Sequence, residues 1–157
     1  AVSTNWVESP AGVWGPITYV GVGNGEGLAA ETISGDGYIQ SDYLAANNQS
    51  TAIFLTTSES PASPYYANVE YGLYVSSSAE YSTAINGSYA GLGVSASNGD
   101  KMRVIRTGTT IKGQYYRSGS WTDLYTYTTG STGTLWFGGS SADPGNAVYL
   151  TNPKYCN

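Results

Sequence analysis

The stretch from Asn98 to Tyr127, NGDKMRVIRTGTTIKGQYYRSGSWTDLYTY, constrains the fold more than any other part of the chain. It reads as strand, turn, strand, turn, strand, with no helical pattern competing. Met102 and Val104 alternate with Arg103 and Ile105, and Ile111 and Tyr115 alternate with Lys112 and Gln114, the period-two pattern of strands with two unlike faces. Three successive strands need further sheet around them, because an isolated ribbon is marginal in water.

The rest of the chain supplies that sheet. Turn formers recur from Gly12 to Pro144-Gly145 at roughly the 8–12-residue spacing of sandwiches and barrels, among them Asn86-Gly87, Asn98-Gly99, Gly119 and Gly138-Gly139. Between them the pattern predicts strands at Ile17–Val22, Gly37–Tyr43, Thr51–Thr57, Val69–Ser76, Glu80–Ile85, Lys101–Thr107, Thr110–Arg117, Asp123–Thr128, Thr134–Gly138 and Ala147–Leu150. Tyr43–Asn47 and Ser76–Glu80 are the places for a short helix or a turn. Ten strands in one chain imply an all-β fold of two packed antiparallel sheets, a β-sandwich. The Pro-containing run from Ser58 to Pro64 reads as a surface loop, so residues 1–157 are expected to form a single domain, long enough to bury a core.

Charge and composition narrow the function. Residues 1–100 carry nine acids and no base, whereas residues 101–157 carry six bases and two acids, so a −9 segment precedes a +4 segment and the chain nets −5. An acidic chain is a poor match for nucleic acid, whose phosphates need a net basic face. The basic residues of the 98–127 stretch are expected on an exposed sheet face, solvated or paired with acids. No run of ~18 apolar residues is present, so no transmembrane helix is predicted. The start, Ala1-Val2-Ser3, has neither a basic nor an apolar leader region, as expected of a mature form or an excised domain. Only 11% of residues are charged, against ~25% in ordinary soluble domains, and polarity comes mostly from hydroxyls and amides. Such a surface suits a secreted protein or a binder of neutral, hydroxyl-rich ligands. Asn48-Gln49-Ser50 and Asn86-Gly87-Ser88 form glycosylation acceptor triplets.

The chain has no histidine, which removes Ser-His-Asp and Cys-His catalysis and histidine-ligated metal. Its single cysteine, Cys156, excludes an internal disulfide and a cysteine zinc site; no role is expected of it by default, with cross-linking to another chain as the alternative. The acids are scattered near turns without a compact catalytic motif, and Glu70 and Glu80 are expected to be solvated on strand faces. Gly21–Gly27 departs from the G-x-G-x-x-G spacing, with Glu26 at the third glycine position, and reads as a flexible loop. No cofactor is expected. Calcium is the alternative, because turns at Ser34-Gly35-Asp36-Gly37, Asn98-Gly99-Asp100 and Asp143-Pro144-Gly145-Asn146 put carboxylates near backbone carbonyls. Asp in such turns more often serves local backbone hydrogen bonds.

Aromatic residues give the positive signal. Fifteen Tyr and four Trp stand against two Phe, so most rings carry a polar edge. Sugars present an apolar C–H face ringed by hydroxyls, and a Tyr or Trp can stack on it while Asn, Asp or Arg bonds the hydroxyls. The candidate ligand-binding residues are Tyr65 and Tyr66 in the long loop, and Tyr116, Arg117, Trp121 and Asp123 around a hairpin. Tyr115 and Tyr116 are adjacent and cannot both face the core. Trp14, Trp136 and Phe137 are expected in the core.

The order of Ile33-Ser34-Gly35-Asp36-Gly37-Tyr38-Ile39, Ala52-Ile53-Phe54-Leu55, Val69-Glu70-Tyr71-Gly72-Leu73-Tyr74-Val75, Gly99-Asp100-Lys101-Met102-Arg103-Val104-Ile105-Arg106 and Thr110-Ile111-Lys112-Gly113-Gln114-Tyr115-Tyr116 resembles the concanavalin A-like jelly-roll superfamily, within it the lectin-like and SPRY-like domains. The resemblance covers residues 30–127. It implies a two-sheet jelly roll whose members bind glycans or protein loops, build phage fibres and adhesins, or hydrolyse polysaccharides. The expectation is an extracellular or surface-located glycan-binding module without catalysis. The alternatives are a self-associating structural or adhesive subunit joined near Cys156, and a polysaccharide-cleaving enzyme using Tyr and carboxylates.

Overall fold

The computed structural model describes residues 6–8, 26–48, 50–59, 67–128, 130–141 and 150–156. Local chain chemistry sets its hairpins. Asn86-Gly87 and Ser118-Gly119 take positive φ at both central turn positions (49° and 78°, 55° and 87°), the primed geometry whose twist matches the strands it joins. Gly108 (φ 60°) opens a third two-residue turn between Thr107 and Thr110. These turns pin the registers Ile85↔Ser88, Thr107↔Thr110 and Arg117↔Ser120.

Twelve strands are present among the described residues: β1 (Trp6–Glu8), β2 (Glu26–Ile33), β3 (Gly37–Asp42), β4 (Thr51–Thr56), β5 (Tyr71–Val75), β6 (Glu80–Ile85), β7 (Ser88–Ser95), β8 (Lys101–Thr107), β9 (Thr110–Arg117), β10 (Ser120–Tyr127), β11 (Leu135–Ser141) and β12 (Thr151–Cys156). The helix α1 (Ala45–Asn48) is a single turn, and the Asn98 side chain accepts the Ala45 N–H at 2.7 Å. Two antiparallel six-stranded sheets result, ordered β1-β12-β3-β8-β9-β10 and β2-β11-β4-β5-β6-β7.

Between the sheets lies the core. Ile39, Met102, Val104 and Ile111 of the first sheet meet Ile53, Leu55, Leu73, Tyr81 and Phe137 of the second, all buried. Ring pairs bridge the layers: Tyr81 with Tyr115 at 5.5 Å, Phe137 with Tyr155 at 5.0 Å, Tyr71 with Tyr127 at 5.9 Å. The Tyr125 hydroxyl crosses to donate to the Gly72 carbonyl at 2.6 Å. A smaller cluster of Ala52, Phe54, Val69 and Ala84 lies on the opposite face of the second sheet. Thus β4 is buried on both faces, which is why it reads as a continuous apolar run rather than an alternation.

Several expectations change. The chain from Ser88 to Ser95 is a strand, and Glu26 and Gly27 of the glycine-rich run begin β2. The strand predicted to end at Gly138 continues through Gly139 to Ser141 instead of turning there, and the Phe54 ring lies where a Cβ at Gly138 would stand. A strand the sequence did not predict runs Thr151–Cys156, the predicted Ala147–Leu150 lies outside the described residues except for Leu150, and β10 begins at Ser120 rather than Asp123. Trp136 alternates with core Leu135 and Phe137, so it faces away from the core and is half-buried. The strand predicted at Ile17–Val22, with Trp14, Tyr65, Tyr66 and the Asp143–Asn146 turn, lies outside the described residues. Among the described residues no helix is long and apolar enough to cross a membrane.

Candidate functional site

Alternation along β3, β8, β9 and β10 sends one set of side chains into the core and the other to the open face of the first sheet. The open set includes Tyr38 and Gln40 from β3, Lys101 and Arg103 from β8, Lys112, Gln114 and Tyr116 from β9, and Trp121 and Asp123 from β10. Register brings them level, since Gln40 stands opposite Arg103, Arg103 opposite Gln114, and Gln114 opposite Asp123.

Arg103 organises this face. Its guanidinium carbon lies 3.8 Å from the Trp121 ring centroid and 4.9 Å from that of Tyr38, a cation–π arrangement with two rings. Its Nε and Nη2 donate to Gln114 Oε1 at 2.9 and 2.6 Å. Gln114 Nε2 then donates to Asp123 Oδ1 at 2.6 Å, and Lys112 Nζ pairs with Asp123 Oδ2 at 2.7 Å. Tyr116 leans against Trp121 at 5.3 Å, with Lys101 Nζ 5.5 Å from the centroid of its ring. Burial pulls the Arg103 pKa below its usual range against the opposing pull of Tyr38 and Asp123. The hydrogen bonds from Lys112 and Gln114 hold Asp123 below the ordinary carboxylate range, so it is ionised at neutral pH.

A depression of about 300 Å³ opens over these residues, lined by Tyr38, Gln40, Lys101, Arg103, Tyr116, Trp121 and Lys154. A second, of about 360 Å³, lies beside it along Ile105, Thr107, Thr110, Lys112 and Gln114. The chemistry on offer is ring faces for stacking, amide and guanidinium groups for hydroxyls, and cations.

Of the sequence candidates, Tyr116, Trp121 and Asp123 come together here. Arg117 does not join them. Its Nε and Nη2 pair with the two oxygens of Asp100 at 2.8 and 2.6 Å, and Nη2 also donates to the Ser95 carbonyl at 2.8 Å. Asp100 is buried, taking the Tyr81 hydroxyl at 2.8 Å and the Ser97 N–H at 3.0 Å as well. Burial pushes its carboxyl upward, but Arg117, Ser97 and Tyr81 outweigh that and hold it below the usual range. With a guanidinium already on both oxygens, Asp100 does not fit a calcium ligand. Among the described residues no group of three His, Cys, Asp or Glu could hold a metal ion.

Three further expectations are corrected. Arg106 is fully buried instead of solvated, donating to the carbonyls of Gly35, Ser131 and Gly133. Glu70 accepts from Thr57 N–H at 2.8 Å and Glu80 from Gly93 N–H at 2.9 Å, so both carboxylates brace backbone. Cys156 is fully buried within the sheet, where it cannot reach another chain without unfolding. Sequence reasoning missed Tyr38, Gln40, Lys101, Arg103, Gln114 and Lys154. The available signal was the shared parity of Lys101-Arg103 and Lys112-Gln114-Tyr116 across a two-residue turn.

No family model and no curated protein sequence matches the chain. Solved structures match in fold. The Ca²⁺/Man-bound exoplasmic/lumenal domain of VIP36 superposes with a TM-score of 0.59 at 11% identity, over 97% of this chain and 82% of that one. The TRIM65 PSpry domain gives 0.56 at 12%, over 83% and 69%. Stonustoxin gives 0.60 at 13%, over 88% of this chain, which spans 22% of the stonustoxin chain. The two six-stranded sheets are therefore those of a concanavalin A-like jelly roll, the β-sandwich that SPRY and legume lectin-like domains share.

Proposed function

We propose that this protein is an extracellular or lumenal carbohydrate-binding module, recognising a glycan on the open face of the first sheet without catalysis of its own. The observation that carries the reading is the convergence of Tyr38, Tyr116 and Trp121 with Gln40, Lys101 and Arg103 around one depression. Rings supply stacking surfaces, and the Arg103–Gln114–Asp123 chain fixes polar groups in place before a ligand arrives, which lowers the ordering cost of binding. The mannose-bound VIP36 domain, with the same fold, supports the ligand class and the compartment. Asp123, ionised by its partners, is unsuited to the protonated-acid role that glycoside cleavage requires.

Titration of the protein across a glycan panel, followed by Trp fluorescence, tests the reading. A saturable change is expected, with Trp121→Ala weakening binding by about tenfold, the size of a stacking contact of ~1.4 kcal/mol. A flat response across the panel from correctly folded protein would sink it.

A further inference from the structure

The face that carries the proposed site is charged against the rest of the molecule. The chain nets −5, yet this face presents Lys101, Arg103, Lys112 and Lys154 against Asp42 and Asp123, with Glu8 standing opposite Lys154 in the β1–β12 ladder, so the excess of positive charge centres on Lys101 and Arg103. Asp123 is engaged by Lys112 and Gln114. Asp42 stands opposite Lys101 in the ladder, but its carboxylate accepts from Asn152 Nδ2 at 3.3 Å and makes no ion pair with the lysine. Among the described residues Lys101 meets no carboxylate, only the Tyr116 ring. The two depressions lie side by side, divided by the Arg103–Gln114 bridge, with Lys101 and Lys154 lining one and Lys112 the other.

Resting on the carbohydrate-binding reading above, we infer that the ligand is an acidic polysaccharide, a sugar chain bearing carboxylate or sulfate groups. An anionic substituent meets Lys101 and Arg103 in charge-assisted hydrogen bonds, stronger than those a neutral hydroxyl can form. The rings take the C–H faces of the same unit, and the chain continues over Gln114 toward Lys112. A neutral glycan would leave the Lys101 ammonium without a counter-charge. The negative balance elsewhere on the molecule repels polyanions, so attraction is confined to this face and becomes a source of specificity.

Affinity electrophoresis of the intact chain through gels containing alginate, polygalacturonate, hyaluronan or dextran sulfate, each run beside neutral mannan, dextran and methyl-esterified galacturonan, tests this. The expected result is retardation by at least one acidic polymer and not by its neutral counterpart, abolished by high salt. Lys101→Gln should weaken that binding about tenfold. Ser77→Asp, an exposed turn position away from the face, lowers the net charge by the same one unit and should leave binding intact. Retardation by neutral polymers alone, or equal weakening by Ser77→Asp, overturns the inference and leaves the glycan-binding reading standing. Retardation by no polymer, with no response in the glycan panel, overturns both.

Discussion

Arg106 shows how one side chain ties distant segments. It is fully buried on β8, yet its acceptors are carbonyls: Gly35 in the turn before β3, and Ser131 and Gly133 in the segment before β11. The planar guanidinium reaches both segments at once, which a lysine ammonium cannot. Arg106→Lys is therefore expected to cost about 2–3 kcal/mol in urea unfolding, since the buried cation at this position keeps fewer of its carbonyl partners. Asp100 makes the matching prediction in pH. Its folded pKa lies below the unfolded value of 3.8, so its contribution is complete above that value and disappears as pH falls through the folded pKa. Asp100→Asn should lower stability at neutral pH by about 2–4 kcal/mol, toward the low end because Arg117 keeps 37% of its side chain exposed. Between 3.8 and lower pH the variant's stability should fall less steeply than that of the wild type in denaturant titrations. Equal slopes would show that Asp100 is not the titrating group.

At the scale of elements, legibility follows the pattern of burial. The β8–β9–β10 meander could be read because one face is apolar, the other polar, and Gly108 and Gly119 mark the turns. The strand β7 could not, because most of it is exposed and its two glycines have strand duties. Gly91 leaves room for the Glu80 carboxylate, and Gly93 takes a φ of 72° beside the register shift opposite Glu80. The Gly138-Gly139 pair misled similarly by ending the predicted strand too early, since a missing Cβ beneath Phe54 looks in sequence like a turn former. Gly113 is the same device inside the sandwich. The Tyr125 ring occupies the position of its absent Cβ and carries the hydroxyl across to Gly72. Gly113→Ala must displace that ring, so a loss of about 2–3 kcal/mol is expected, with the intersheet hydrogen bond broken. Tyr125→Phe keeps the ring and removes only the hydroxyl, and should cost about 1–2 kcal/mol. If the two variants prove equally stable, the ring is not held as described.

At the scale of the whole molecule, topology assembles the face. Tyr116 and Trp121 sit near each other in sequence and were legible as a pair, but Tyr38 and Lys154 reach the same depression only because β3 lies between β12 and β8. No local pattern encodes that order. The same closure buries Cys156, which stands opposite Tyr38 on one side and Trp6 on the other, inside the first sheet. A thiol in the middle of a ladder is reached by reagent only when the sheet opens, so its labelling should report on unfolding rather than on surface chemistry. Alkylation under native conditions is expected to run at least ~10³-fold slower than in denaturant, the suppression set by a stability of ~5 kcal/mol or more. Where refolding outpaces the reagent, the labelling rate follows the open population. Arg106→Lys should then accelerate it by the factor its own loss of stability dictates, although Arg106 lies on a different strand. Fast native labelling, or a rate unmoved by Arg106→Lys, would mean that β12 detaches without the rest of the sandwich.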